Sequence, residues 1–331
     1  MGARQGWRPC PVLSSSLCGS VFGELPFGNL PAALAMNSVD DILSKAEGLR
    51  QTVVVAASEE PHLLASLKEA KSRGIVEPIL VGNEDQIRKV ARHVSFDLND
   101  VQVCACAHDH ESVHVGLDIV RSGRASILMK GLVNSRDFLG AVLDKRYGIR
   151  RSRLLSHVAL FFPGFYPKPV LLTDAGLNTM PSFDEKLVIL EQGVGLLHSL
   201  GIEKPKVAIL AHNEIPSEKI PGSWDAVRLV EAVSRGGLTD CVVEGPLSLD
   251  LALDAKACRT KRIETRVGGQ ADMLLCPDIL SGNILYKSMT VIGSAPGAAL
   301  IVGASVPIIL TSRGDSVQTK LLSLALAALT C

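Results

Sequence analysis

Two segments near the C-terminus carry side chains that hold anions. Gly282-Asn283-Ile284-Leu285-Tyr286-Lys287 supplies an amide, a phenol and an ammonium. Thr311-Ser312-Arg313-Gly314-Asp315-Ser316 supplies hydroxyls, a guanidinium and a carboxylate. The second segment leaves the apolar run Val306–Leu310 and enters the amphipathic run Val317–Leu329, which predicts a strand, a tight turn and a helix N-terminus. Such a junction offers an anion free backbone N–H groups and the positive end of a helix dipole. Arg313 adds a planar fork that suits phosphate oxygens. A phosphate or phosphoryl group is the expected ligand.

Two more segments stand at the ends of predicted strands: Met129-Lys130-Gly131-Leu132-Val133-Asn134-Ser135-Arg136-Asp137, and Thr173-Asp174-Ala175-Gly176-Leu177-Asn178. Each has a plain structural alternative. Ser135 would cap its helix, Asp174 and Asn178 would form turns, Asn283 would fill a cap, and Asp315 sits where an N-cap belongs. Taken together, four segments at strand ends bring Lys130, Lys287 and Arg313 into play.

Other signatures are missing. There is no G-x-G-x-x-G after the first strand, no G-x-x-x-x-G-K-[ST], and no G-x-S-x-G nucleophile elbow. Cys104, Cys106, His108, His110 and His114 are metal-ligand types, but the C-x-C spacing is not the one zinc sites favour. Buried cysteines and surface histidines are the expected reading, with no metal. His157 and His212 lie beside predicted strands, in core or cleft.

Composition narrows the class. Of the 331 residues, 47% are hydrophobic and 21% charged, as in a globular protein long enough for roughly two domains. Lys plus Arg equals Asp plus Glu at 34 each, and only three Tyr and two Trp are present, which disfavours nucleic acid as a partner. The apolar stretch Pro296–Leu310 contains glycines, serine and proline and falls short of the about 20 residues of a membrane span. It is expected to be two consecutive buried strands. The eight scattered cysteines suit a reducing cytosol. Residues 1–36 hold Arg8-Pro9-Cys10-Pro11, a Ser14-Ser15-Ser16 run and no acid before Glu24, fitting neither a transit peptide nor a secretory signal. They are expected to be a disordered extension, with Ser38 capping the first helix.

From Ser38 onward, short apolar strands alternate with amphipathic helices, which predicts a mostly parallel sheet covered on both faces. Ser156–Phe162 and Pro169–Thr173 have only a Pro/Gly turn between them, so an antiparallel pair is expected there. Two α/β domains are expected, residues 37–155 with 297–331 and residues 156–296, and a ligand cleft between them.

From Ser38 to the C-terminus the chain resembles the phosphate acetyl/butyryl transferase family. Its most specific features are the S-G-N-x-x-Y-K segment Ser281–Lys287 and Ser312-Arg313-Gly314 at this separation. Thr311–Ser316 and Met129-Lys130-Gly131 look closer to the butyryl branch than to the acetyl branch. The resemblance implies a two-domain, three-layer αβα fold like that of isocitrate and isopropylmalate dehydrogenases. It also implies an interdomain active site and a homo-oligomer, expected in the cytoplasm. The implied reaction is acyl-CoA plus phosphate giving acyl phosphate and coenzyme A. The thioester is a substrate, so no cofactor, metal, nucleic-acid or membrane partner is expected.

On this reading Ser312, Arg313 and the Gly314 N–H hold phosphate, and Asp315 is the candidate base. Asn283, Tyr286 and Lys287 line the facing wall. Lys130, Gly131, Ser135, Asp174 and Asn178 complete the substrate contacts. Arg150, Arg151 and Arg153 would meet coenzyme A phosphates or form a solvated loop. Two departures stand out. Thr319 occupies the position where the acetyl branch carries an acid assigned as its general base, and Gly140 the position of an arginine. Three other functions fit parts of the pattern: an acetyl-specific transferase of the same family, a metal- and NAD-dependent dehydrogenase of the same fold, and a non-catalytic CoA- or phosphate-binding protein.

Overall fold

The computed structural model describes residues 36–310, 312 and 314–331. Residues 1–35, which cover almost all of the expected extension, lie outside the described residues, as do Thr311 and Arg313. The first helix, α1 (Val39–Ala46), opens with a capping box in which Ser38 Oγ accepts the Asp41 N–H and Asp41 accepts the Ser38 N–H. This satisfies donors that a helix start leaves orphaned.

Strands and helices then alternate: β1 (Gln51–Ala56), α2 (Pro61–Ser72), β2 (Val76–Gly82), α3 (Glu84–His93) and β3 (Gln102–Ala105). α4 (Asp109–Arg121), β4 (Ile127–Lys130) and α5 (Ser135–Leu143) continue the pattern. β5 (Ser156–Phe161) and β6 (Val170–Thr173) follow without a helix between them. After them come α6 (Phe183–Ser199), β7 (Lys206–Leu210), α7 (Pro221–Ala232) and β8 (Val242–Leu247). Two short helices not expected from the sequence, α8 (Leu249–Leu253) and α9 (Ala255–Lys261), lead to β9 (Met273–Leu275) and α10 (Ile279–Lys287). The chain closes with β10 (Gly297–Val302), β11 (Ile308–Ile309) and α11 (Val317–Leu329). Among the described residues no helix is long and apolar enough to cross a membrane.

One sheet of 11 strands runs through the molecule in the order β3-β2-β1-β4-β11-β10-β5-β6-β9-β7-β8. β10 is antiparallel to β11 and to β5, and β5 is antiparallel to β6. All other neighbours are parallel. The expected mixed α/β sheet is therefore observed, including the antiparallel pair around the Pro163–Pro167 turn.

Register decides which loops meet. Ile309 stands opposite Met129, so β4 and β11 release the chain side by side, toward Lys130 and toward Ser312. Val158 stands opposite Thr173, so His157 at the start of β5 neighbours Asp174 just past β6. His157 is also opposite Ile301 of β10.

The two faces of the sheet are covered differently. Val53 and Val55 of β1, Val158 and Leu160 of β5, and Leu171 of β6 belong to one apolar cluster that spans that face and includes most of α11. On the opposite face Val54 and Ala56 belong to one cluster, and Ala159 and Phe161 to another. That face is divided, and His157, two residues before Ala159 on a strand of period two, points to it.

Candidate active site

The turn after β6 is built around one carboxylate. Asp174 is buried, with 3% of its surface exposed. Its Oδ1 accepts the Gly176 N–H at 2.8 Å and the Leu177 N–H at 2.9 Å. Its Oδ2 accepts the His157 N–H at 3.1 Å and Asn178 Nδ2 at 2.6 Å. Asn178 Nδ2 also reaches the Leu155 carbonyl at 2.9 Å. Asp174 and Asn178 thus brace the turn and tie it to β5, with both carboxylate oxygens committed.

Helix α10 rests directly on this turn. Asp278 is its cap, accepting the Ser281 N–H at 2.8 Å, so Asn283 is not a cap but a residue of the helix interior. Asn283 Nδ2 donates to the Ala175 carbonyl at 3.1 Å. A Cβ added at Gly282 would stand 2.1 Å from the Asp174 carbonyl oxygen, so only glycine lets helix and turn approach this closely. Tyr286 lays its ring between His157 and Phe161, at centroid distances of 5.7 and 5.3 Å. Burial, and secondarily the Asp315 carboxylate, push the Tyr286 hydroxyl up to about 12. Lys287 is exposed, with Nζ 5.2 Å from the centre of the Tyr286 ring.

The third piece is the loop into α11. Ser316, not Asp315, is the N-cap, its Oγ accepting the Thr319 N–H at 3.1 Å. Asp315 Oδ2 instead accepts the Ser312 N–H at 2.7 Å, and the Gly314 N–H approaches Ser312 Oγ at 3.4 Å. Thr319 is bound to the cap, with its Oγ1 3.1 Å from Ser316 Oγ. Ser312 and Gly314 are exposed and Asp315 is half-buried. The expectation for Arg313 falls outside the described residues.

Lys320 holds this loop from below. Only 2% of its surface is exposed, and Nζ donates to the Asp315 carbonyl at 2.7 Å and the Ser312 carbonyl at 3.3 Å. Glu60, the cap of α2, lies 3.6 Å from the same ammonium. A buried ammonium needs such partners, because desolvation without them costs several kcal/mol. The sequence signal was available: Lys320 is the only charge in α11.

Lys130 is likewise buried, at 4% exposure, and Nζ donates to the Gly131 carbonyl at 3.0 Å and the Val133 carbonyl at 3.2 Å. A Cβ at Gly131 would lie 1.9 Å from the Ala57 carbonyl oxygen, so this loop presses on the end of β1. Asn134, not Ser135, caps α5, accepting the Arg136 N–H at 2.8 Å; Ser135 is the exposed first residue of the helix. Among the basic residues, Arg150 and Arg151 are exposed, and Arg153 donates to the Asp184 carbonyl at 2.6 Å.

His157 joins the site from β5. A Cβ at Gly176 would come within 3.2–3.6 Å of its ring, so the ring packs flat on the turn. Its Nδ1 is buried without a hydrogen-bond partner. Burial depresses its pKa below the usual 6.5, against the opposing pull of Asp174 and Asp315, with Lys287 adding to the depression. His212 is exposed.

The remaining histidines lie elsewhere. His110 and His114 approach Nε2 to Nε2 at 3.3 Å, and Tyr147 shares a hydrogen bond with His114 Nδ1. Among the described residues no group of three or more His, Cys, Asp or Glu is placed to hold a metal ion.

Comparison with known proteins agrees over nearly the whole described chain. The family model "Phosphate acetyl/butaryl transferase" matches residues 38–114 and 105–328. Phosphate butyryltransferase of Clostridium acetobutylicum is 38% identical over 296 residues, 89% of this chain and 98% of the relative. Phosphate acetyltransferase of Rickettsia felis is 34% identical over 291 residues, 87% of this chain and 83% of the relative. The crystal structure of a branched-chain phosphotransacylase from Enterococcus faecalis superposes with a TM-score of 0.73 at 30% identity, covering 84% of this chain and 97% of the other.

Proposed function

The chain belongs to the phosphate acetyl/butaryl transferase family, and from that premise we propose that it moves a short-chain acyl group between coenzyme A and inorganic phosphate. Butyryl is the favoured acyl group, supported by the higher identity to the butyryltransferase than to the acetyltransferase. The observation that carries the reading is the meeting of three segments on the divided face of the sheet: the Asp174 turn, α10 and the Ser312–Ser316 loop. Asn283 and Gly282 of α10 pack on the first, and Tyr286 of α10 lies within electrostatic reach of Asp315 in the third.

The chemistry asks little of the protein. Phosphate is a nucleophile and a thiolate leaves readily, so the site must align two anions and stabilise the oxyanion at the thioester carbon. The loop before α11 suits phosphate, since the start of α11 has a positive dipole end and Lys320 engages the Ser312 and Asp315 carbonyls. Lys287, exposed over Tyr286, is the cation that would meet the oxyanion or a coenzyme A phosphate. Asp174 and Asn178 act on this reading as supports rather than ligands. No step calls for a metal or a nicotinamide.

The reading also makes the enzyme a cytoplasmic homo-oligomer. Leu280 and Ile284 on α10, with Val291 and Ile292 beyond it, are exposed apolar residues that a second copy would cover. Size-exclusion chromatography with light scattering checks this; a monomer at micromolar concentration contradicts it. The activity test is thiol release from acetyl-, propionyl-, butyryl- and isobutyryl-CoA with and without phosphate. Phosphate-dependent release, fastest with the four-carbon thioesters and indifferent to chelator and NAD, is the expected result. A strict requirement for NAD or Mg²⁺ would overturn it, and a preference for acetyl-CoA would overturn the acyl assignment.

A further inference from the structure

The reaction has a proton to place. Monoanionic phosphate that attacks a thioester carries a proton which must leave as the new O–C bond forms, and the departing coenzyme A thiolate must gain one. At the position where the resemblance leads one to expect an acid, Thr319 is a hydroxyl committed to the Ser316 cap. Asp315 has one oxygen on the Ser312 N–H. Asp174 has both oxygens saturated by four donors.

Among the described residues at this seam, His157 is a titratable side chain whose ring nitrogen Nδ1 no protein group engages. Its ring packs on Gly176 and against Tyr286, held from two sides. Its backbone N–H is fixed by Asp174 and its carbonyl accepts from Thr173 Oγ1 at 3.0 Å, so its main chain is anchored on both sides. Yet Nδ1 is a buried polar atom without a partner. Such an atom costs about 1–3 kcal/mol unless something completes it, and the ring stands beside the segments that the acyl-transfer reading gives to the substrates.

We propose that His157 is the proton acceptor of the transfer: its neutral imidazole takes the proton from the attacking phosphate and returns it to the departing thiolate. This rests on the acyl-transfer reading above. The step balances as follows. A phosphate oxygen bonds to the thioester carbon while its proton passes to the imidazole. The tetrahedral intermediate then expels the coenzyme A sulfur, which receives that proton. The imidazole ends neutral, and no oxidant or further reactant is consumed. The charged and titratable groups facing the ring are Asp174 from the turn after β6, Asp315 from the loop before α11, and Lys287 and Tyr286 from α10. Burial keeps the imidazole uncharged near neutral pH, the form that accepts a proton.

The experiment measures thiol release from butyryl-CoA by the purified full chain and by His157→Asn and His157→Ala, with phosphate varied from pH 5 to 8. General-base contributions run from about 10²- to 10⁴-fold. At pH 7 both variants should lose at least about 100-fold in kcat, with KM for phosphate moving less than about threefold. Any acid limb of the wild-type kcat profile should flatten in the Asn variant. Added imidazole should restore part of the rate to the Ala variant in proportion to its neutral form. A kcat within about threefold of wild type in His157→Asn overturns the proposal. So does a rise in KM at unchanged kcat, which would make His157 a phosphate ligand. A rate loss with an unaltered acid limb and no imidazole rescue also overturns it, leaving a packing role. If the wild-type chain releases no thiol with phosphate, the acyl-transfer reading fails and this proposal with it.

Discussion

Asp174 and Asp315 both act electrostatically on His157, and the fold uses them in opposite ways. Asp174 is buried and accepts four hydrogen bonds from its own turn, from Asn178 and from β5. Asp315 is half-buried and accepts one, from the Ser312 backbone. The first carboxylate is spent on geometry. The second keeps lone pairs in reserve and sits in a loop pinned by a buried lysine. Equal charge does not mean equal role; the number of donors each oxygen has already accepted separates scaffold from site.

The sharpest way to break this contrast is to remove the scaffold. Asp174→Ala strands several buried or half-buried donors at about 1–3 kcal/mol each. It should lower unfolding free energy by at least about 3 kcal/mol in denaturant titration. A loss under about 1 kcal/mol would mean the turn holds itself. Next comes the pin. Lys320→Met keeps the apolar stem but frees the Ser312 and Asp315 carbonyls and leaves Glu60 without its cation. A loss of about 2 kcal/mol in stability is expected, together with a higher KM for phosphate as the loop loosens. An unchanged KM would detach Lys320 from the phosphate loop.

Arg313→Lys keeps charge and removes the fork, so kcat/KM for phosphate should fall about tenfold, or about 1.4 kcal/mol. No change would remove Arg313 from phosphate binding. The smallest effect belongs to Asp315→Asn. Asparagine still offers an oxygen to the Ser312 N–H, so kcat should stay within about threefold of wild type and the pH profile should keep its shape. A hundredfold drop would transfer the proton-accepting role from His157 to Asp315.

Much of the fold was legible because its period signals were clean. The amphipathic run Val317–Leu329 coincides with α11, although its cap is Ser316 rather than Asp315. α10 was read as a site segment, not as a helix, because Ser281, Gly282 and Asn283 look like turn residues. Only the tertiary approach to Asp174 explains a glycine in its first turns. α8 and α9, of five and seven residues, are too short to carry a helical period. At the site, the motif residues announced themselves by type. Lys320 stood out only as the one charge in α11 and His157 only as a histidine beside a strand, because what matters about them is burial and the absence or presence of partners. Both properties arise between segments distant in the chain.

The account's central claim is direct attack of phosphate on the thioester. It is tested most simply by initial rates of thiol release with butyryl-CoA and phosphate varied together. Intersecting double-reciprocal lines, with butyryl phosphate formed in step with free thiol, are predicted, since both substrates must occupy the site at once. Parallel lines, the pattern of a covalent acyl-enzyme, or thiol release that ignores phosphate, would contradict it.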